Sequence, residues 1–390
     1  MEVSELLQSR KENFLKVVNH QKADWLPLLS INNMGSLAYA GISYWKLERD
    51  FDNAKKAMSK IYEELPADVS AGDGVSQNGR CNQILRGCTQ TKVTEDGFNL
   101  QHLQTTVMNG DEYAELMKDI PAFVKNVMLP RRYPFLFEMD PKEAAKIVIS
   151  VLEENTFCMA TGPFTKTKQY VEDVYGIYHF GDKRFRCSTP GDYIFDQFRG
   201  FTGTLTDLRR HYEEMKALCD LLWEKNYCNH FQGLEMSSEM FPSYMAHIPA
   251  FLNPKQYNDL CYKYFKQQIE GMTKSGSKLF MLAEGTWGHL FDYFLDLPKD
   301  SVIMVLENDD MIESYKKLGH HQILAGGAPI CNLRLSSKEE NIDNAKRVVD
   351  ACGGPESGYI FSTDKAWSCA GDINQNLIEV FKFVHEYGQY

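Results

Sequence analysis

The sequence lacks any long apolar run. No stretch approaches the roughly 18 or more apolar residues of a membrane helix, so no membrane span is expected. The opening MEVSELLQSRKENFLKVV is an amphipathic helical pattern of mixed acids and bases, without the apolar centre of a secretion signal. No CxxC pair occurs among the ten cysteines. With no secretion signal, that scatter predicts reduced thiols in a cytosol, most of them packed as small buried hydrophobes. Long basic blocks are missing too: none exceeds Arg131-Arg132 or Arg209-Arg210, and the net charge is −11. Nucleic acid is therefore excluded as the main partner, and a strongly polyanionic substrate is disfavoured, because both need a basic stripe. Gly326-Gly327 and Gly353-Gly354 make no nucleotide-binding loop, and neither a P-loop nor GxSxG is present. Internal repeats and low-complexity linkers are also absent.

What is present is a recurring strand-then-helix alternation, the signature of a mostly parallel sheet. It is clearest in Ser277–Asp310, SKLFMLAEGTWGHLFDYFLDLPKDSVIMVLENDD. Two strand-length apolar runs, Leu279–Ala283 and Val302–Leu306, flank an aromatic amphipathic segment, and each ends on a glutamate, Glu284 or Glu307. Eight strands are predicted in all, at 25–30, 68–72, 157–161, 242–246, 279–283, 302–306, 321–325 and 359–361. Residues 82–109 read as a β-hairpin excursion turning at Asp96-Gly97, and 176–205 as a polar, Gly-rich loop region. Thr206–Asn226 carries a helical core stripe, and Asp372 with Gln375 is spaced as the capping box of the last helix. With 390 residues, these elements predict an α/β protein: one (β/α)8 TIM-type barrel domain over 1–390, preceded by N-terminal helices.

In such a barrel the ligand site is built at the carboxyl ends of the strands. The residues there are Asn32, Asn33, Asp73, Thr161, His247, Glu284, Glu307, Gly326, Gly327, Thr363, Asp364 and Lys365. Converging acids with one His and one Lys fit two chemistries, general acid/base work or metal ligation. The metal candidates are Glu284, Glu307, His247, Cys331 and Cys369, set against the alternative that both cysteines are ordinary packed residues. Glu284 and Glu307 could equally cap helices or pair with a lysine. Trp287, His289, Tyr293 and Trp367 are candidates for an aromatic-binding lining.

DWLPLLS, TGPFTKTKQYVEDVYG, FRGFTGTLTDLRRHYEEM, AHIPAFLNPKQYNDL, LPKDSVIMVLENDDMIESYKKLG and the C-terminal GGPESGYIFSTDKAWSCAGDINQNLIEVFKFVHEYGQY, in this order, resemble the uroporphyrinogen decarboxylase superfamily. The resemblance runs from near residue 24 to the C-terminus and implies a (β/α)8 barrel. True decarboxylases of that group hold a tetrapyrrole's carboxylates with an Arg-rich motif after the first strand. Here that place reads Ser30-Ile31-Asn32-Asn33-Met34-Gly35-Ser36, and the late histidine motif is replaced by Ser362-Thr363-Asp364-Lys365. Asp73 stands where the catalytic aspartate would.

The other branch, the corrinoid-dependent methyltransferases, is the one the resemblance favours. Its thiol-methylating members carry a His-x-Cys zinc motif, and the matching place here is Glu284-Gly285-Thr286. The resemblance thus implies a demethylating enzyme that passes a methyl group from a small methylated donor, foremost an aryl methyl ether, to the Co(I) of a corrinoid-binding partner protein. Corrinoid-to-thiol transfer and a decarboxylase-like lyase are the alternatives. Zinc at Glu307, Cys331 and Cys369 is implied, with Glu284, Glu307, Asp73 and Lys365 in acid/base roles and Asn33, His247, Trp287 and Trp367 on the substrate. A phenolate leaving group, whose conjugate acid has a pKa of about 10, needs a Lewis acid or a positioned proton donor.

Overall fold

The structure, a computed structural model, describes every residue except 1, 48–49, 74–78, 86–90, 104–105, 161–162, 181 and 229–235; the side chains of 73, 91, 102, 157–160, 163–165 and 182–186 are also outside the description. Eleven strands occur among the described residues: β1 (Leu28–Asn32), β2 (Val69–Asp73), β3 (Thr91–Val93), β4 (Leu100–His102), β5 (Tyr178–His179), β6 (Asp182–Arg186), β7 (Pro242–Ala246), β8 (Leu279–Ala283), β9 (Val302–Leu306), β10 (Ile323–Ala328) and β11 (Tyr359–Thr363). Nine of them form one parallel sheet in the order β5-β2-β1-β11-β10-β9-β8-β7-β6, curled among helices. The two strands at the ends of that order, β5 and β6, are consecutive pieces of one chain segment. Tyr178 and His179 pair with Val69 and Ser70 on one side, and Asp182 and Arg186 pair with Pro242 and Ser243 on the other. This arrangement is consistent with a TIM-like barrel.

Four predicted strands recur within three residues of their expected ends, as β1, β2, β10 and β11, and β7, β8 and β9 match theirs. The third does not. Phe157–Thr161 was expected to be a strand, but the helix Pro141–Ala160 runs through it, and Thr161 lies outside the described residues. A short apolar run cannot be told from a helix segment by periodicity alone. The third strand lies instead in the supposed loop region, where the polar GDKRFR gives little hydrophobic signal. The hairpin excursion is present as β3 and β4, antiparallel, with Gly97 at φ +78° beside the turn. Its Asn99 side chain accepts from the backbone N–H of Ala370, which brings the hairpin to the loop after β11.

Alternation along the strands separates two cores. Tyr244, Ala246, Met281, Ala283, Met304 and Leu306 point outward to the helices. Leu29, Ile31, Val69, Phe280, Leu282, Ile303, Val305, Ile323, Ala325 and Ile360 point inward. Burying a Val, Leu, Ile or Phe side chain in this way contributes about 1.5–3 kcal/mol. The N-terminal helix Val3–Val17 closes the amino end of the sheet: Phe14 is fully buried, with its ring 4.6 Å from that of Phe180 and 5.5 Å from that of Phe241.

The stripe over 206–226 belongs to two helices, Gly200–Arg210 and Tyr212–Glu224, which break at His211; Met215, Leu218 and Leu222 are fully buried. The last helix, Gln375–Tyr387, is capped by Asn374, whose side chain accepts from the N–H of Leu377. Asp372 was expected to cap it, but takes the N–H groups of Ser368 and Cys369 and so shapes the loop before it. Six of the eight described cysteines are buried, as their scatter suggested. No helix of the described residues is long and apolar enough to cross a membrane.

Candidate active site

The inward alternation continues past the strand ends and decides which polar side chains meet. Two residues beyond Leu282 on β8 is Glu284, and two beyond Val305 on β9 is Glu307. Met245 on β7 pairs in register with Leu282, so its face continues to His247. The same count from Ile31 gives Asn33, half-buried at the end of β1. From Ile360 it gives Ser362 and then Asp364.

His247 is the most elaborately held of these. Its Nδ1 lies 2.9 Å from Asp196 Oδ1, and its Nε2 lies 3.8 Å from Glu284 Oε2. The second distance exceeds hydrogen-bond reach, so the Nε2–H faces Glu284 without a direct acceptor among the described residues. Burial opposes charge on the ring, but Asp196, then Glu284 and Asp192, outweigh it and push the pKa up to about 10. The imidazole is a cation across the neutral range. Burial raises the Glu284 carboxyl above its usual range, with His247 pulling it down and Glu307 pushing it up.

Beneath this pair lies a fully buried acid. Asp192 Oδ1 accepts the backbone N–H groups of His247 and Ile248 at 3.0 and 2.9 Å. Its Oδ2 accepts from the hydroxyls of Thr189, at 3.0 Å, and Tyr244. Burial raises its pKa. Thr189 caps the short helix Pro190–Tyr193, which passes into a π-helical turn over Ile194–Arg199 that carries Asp196. Such turns recur where a side chain must be aimed. The far end is anchored by Arg199, which donates to Asp207 from Nε and Nη2 and to the Met108 carbonyl from Nη1.

The adjoining sector is braced. Glu307 accepts from Lys365 Nζ at 2.7 Å on Oε1 and from the backbone N–H of Gly285 at 2.7 Å on Oε2. Burial lowers the Lys365 pKa, but the contact with Glu307 outweighs it and leaves it raised. Asp309 takes the N–H groups of Trp287 and Gly288, so the loops after β8 and β9 are stitched together. Asp364 accepts the N–H of Ile330 and is pushed up by burial.

Not every expected site residue reaches this mouth. Trp287 is fully buried against Tyr257 and Phe294, and its Nε1–H donates to the Glu284 carbonyl. Trp367 is fully buried near Phe381, donating to Thr363 Oγ1. Both are core residues beneath the loops that hold the site, not its lining. His289 and Tyr293 bind the carbonyls of Leu252 and Pro254. Asp73 ends β2 opposite Asn32, and its side chain is outside the described residues.

The expected zinc set does not fit. Cys331 is exposed on the first turn of the helix Ile330–Leu335, and Cys369 is half-buried in the loop shaped by Asp372. Both Glu307 oxygens are occupied, one by an ammonium that repels a cation. Among the described residues no three His, Cys, Asp or Glu side chains converge to hold a metal.

Asp192 and Asp196 escaped the strand-end reading because they lie on a helical segment. Two signals mark them nonetheless: Thr189-Pro190-Gly191-Asp192 has capping-box spacing, and Asp192 with Asp196 is an i,i+4 carboxylate pair.

A family model described as Uroporphyrinogen decarboxylase (URO-D) matches residues 193–387, which include β7 to β11 and His247, Glu284, Glu307 and Lys365. No curated protein matches. Among solved structures, the fold is similar to a methyltransferase from Methanosarcina mazei, 11% identical, with a TM-score of 0.56 and coverage of 97% of this chain and 98% of that one. A B12-independent methionine synthase from Shewanella sp. W3-18-1, in complex with selenomethionine, is 12% identical over 57% of this chain and 66% of that one; its TM-score of 0.33 carries no argument. The first likeness is one of fold, over nearly the whole length. From the family match over half its residues, the chain belongs to the uroporphyrinogen decarboxylase family.

Proposed function

We propose that this protein is a methyltransferase that takes a methyl group from an O-methyl donor, foremost an aryl methyl ether, and passes it to the Co(I) of a corrinoid-binding partner protein, with His247 supplying the proton to the leaving oxygen. The observation that carries this reading is the placement of His247, whose Nδ1 is held by Asp196 and whose Nε2 stands at the strand-end mouth without a direct acceptor among the described residues; the same carboxylates favour its charged form. The protein shares its fold with the methyltransferase from Methanosarcina mazei, which supports the reaction class.

The reaction is a displacement at carbon. The C–O bond breaks as the methyl group moves to the acceptor cobalt, which rises from Co(I) to Co(III), and the oxygen leaves with both bonding electrons. An alkoxide or phenolate is a poor leaving group, so the proton must be in place as charge develops. His247 donates it from Nε2 while Asp196 holds Nδ1–H and stabilises the ring. Once the ring is neutral, solvent at the open mouth returns its proton, and Glu284, 3.8 Å from Nε2, favours the recharged ring. No metal step is invoked, because Glu307 is tied to Lys365.

A decarboxylase acting on a polycarboxylate is disfavoured by charge. The described ionisable groups of the mouth are two cations, His247 and Lys365, against five carboxylates, Asp192, Asp196, Glu284, Glu307 and Asp364.

The test mixes the purified protein with guaiacol and a cobalt(I) corrinoid protein, following the cobalt(I) absorbance and the catechol released. Equimolar methylcobalt and catechol are expected. Absence of both across a panel of methoxyarenes, with decarboxylation of uroporphyrinogen in the same preparation, would overturn the reading in favour of a lyase.

A further inference from the structure

Most large apolar side chains of this protein are buried, but three on one side of the mouth are open to solvent. Met245 is 46% exposed although it points inward on β7, in register with Leu282. An inward residue this open means that no described side chain fills the space above it. Phe251 and Phe201 are 51% and 39% exposed. They belong to a ring-to-ring series that starts at His247: Phe195 is 6.0 Å from the imidazole, Phe201 6.2 Å from Phe195, and Phe251 5.0 Å from Phe201 in an edge-to-face contact.

The turn that carries Phe251, Pro249–Phe251, is seated on the Glu284 loop. A Cβ built on Gly285 would come within 2.7 Å of Ala250 Cβ, and Gly285 holds φ +83°, a conformation suited to glycine. The aromatic arc therefore borders both His247 and Glu284. Apolar side chains beside one well-placed donor are what a small-molecule site presents.

Charge narrows the occupant. Both described cations of the mouth already face carboxylates, His247 with Asp196 and Lys365 with Glu307, which leaves none among the described residues for an anionic ligand. Glu284 faces the imidazole of His247 at 3.8 Å, so its charge is already offset and is not free to hold a quaternary ammonium. Edge-to-face packing favours a ring as the apolar body.

We propose that Met245, Phe195, Phe201 and Phe251 form the subsite for an uncharged aromatic ring, seated so that its ether or phenol oxygen accepts from His247 Nε2. This names the donor class within the methyltransferase reading and rests on it for the meaning of the methyl group, though the binding itself does not require that reading.

The experiment is isothermal titration of the protein alone, without corrinoid, with guaiacol, and in parallel with glycine betaine and methanol. Guaiacol is expected to bind, and Phe251→Ala and Met245→Glu to weaken it by about tenfold each, with unchanged thermal melting; Met245→Leu should bind as the parent does. Unaltered affinity in Phe251→Ala and Met245→Glu, or binding of betaine but not of guaiacol, overturns the proposal. Guaiacol binding that both substitutions weaken, with no methyl reaching cobalt, leaves the subsite standing and removes the methyltransferase reading. Methyl transfer from a non-aromatic donor, without guaiacol binding, does the reverse.

Discussion

Glu284 and Glu307 stand at the ends of neighbouring strands, yet they live in different chemistry. Glu307 has both oxygens committed, to an ammonium and to a backbone N–H, and serves as a brace between two loops. Glu284 keeps its oxygens uncommitted, faces the imidazole of His247 at 3.8 Å, and has a raised pKa because desolvation and three neighbouring carboxylates outweigh that ring. A carboxylate gains reactivity when its charge is costly and its partners are few. The braced side of the mouth supplies rigidity, and the side with the open Nε2 of His247 supplies the exchangeable proton.

Three substitutions probe that contrast. The largest effect belongs to His247→Asn, which removes the proposed proton donor: methyl transfer should fall by about 100-fold or more, with the circular dichroism spectrum preserved. A rate within a few-fold of the parent would place the working acid elsewhere.

Asp196→Asn should act on the same proton more gently. His247 is raised from its ordinary 6.5 to about 10, so its ion pairing contributes stability in full below pH 6.5 and loses it as pH rises through about 10. The substitution should move the alkaline limb of activity down toward the ordinary value. Histidine ring NMR, tracked against pH in both proteins, reads that shift directly, and coincident titration curves would contradict it.

Lys365→Met should do least to the chemistry. Lys365 is 41% exposed, so solvent screens its pair with Glu307 and the stability loss should be about 1 kcal/mol in urea unfolding. Turnover should fall only a few-fold. A loss as deep as that of His247→Asn would make the braced side the reacting one.

Much of this was legible in the sequence, and the parts that were not share a cause. Strands β7, β8 and β9 could be read because each is an apolar run cut by turn residues, and the same alternation carries His247, Glu284 and Glu307 to the mouth. Lys365 was legible by its place after β11. The third strand was not, because it is polar and short, and only its pairing with β2 and β7 reveals it. Trp287 shows the limit of position alone: three residues past Glu284 the loop turns, and the indole faces the helices. Asp192 and Asp196 are marked by local spacing as a cap and an i,i+4 pair, but that spacing does not say that they meet His247, some fifty residues on.

The first helix has a consequence for how the chain is made. Phe14 completes the floor of the sheet only against Phe180 and Phe241, which the ribosome delivers much later. Contacts this distant in sequence slow folding and leave apolar surface uncovered in the meantime. The nascent chain must carry an exposed aromatic helix until its middle emerges.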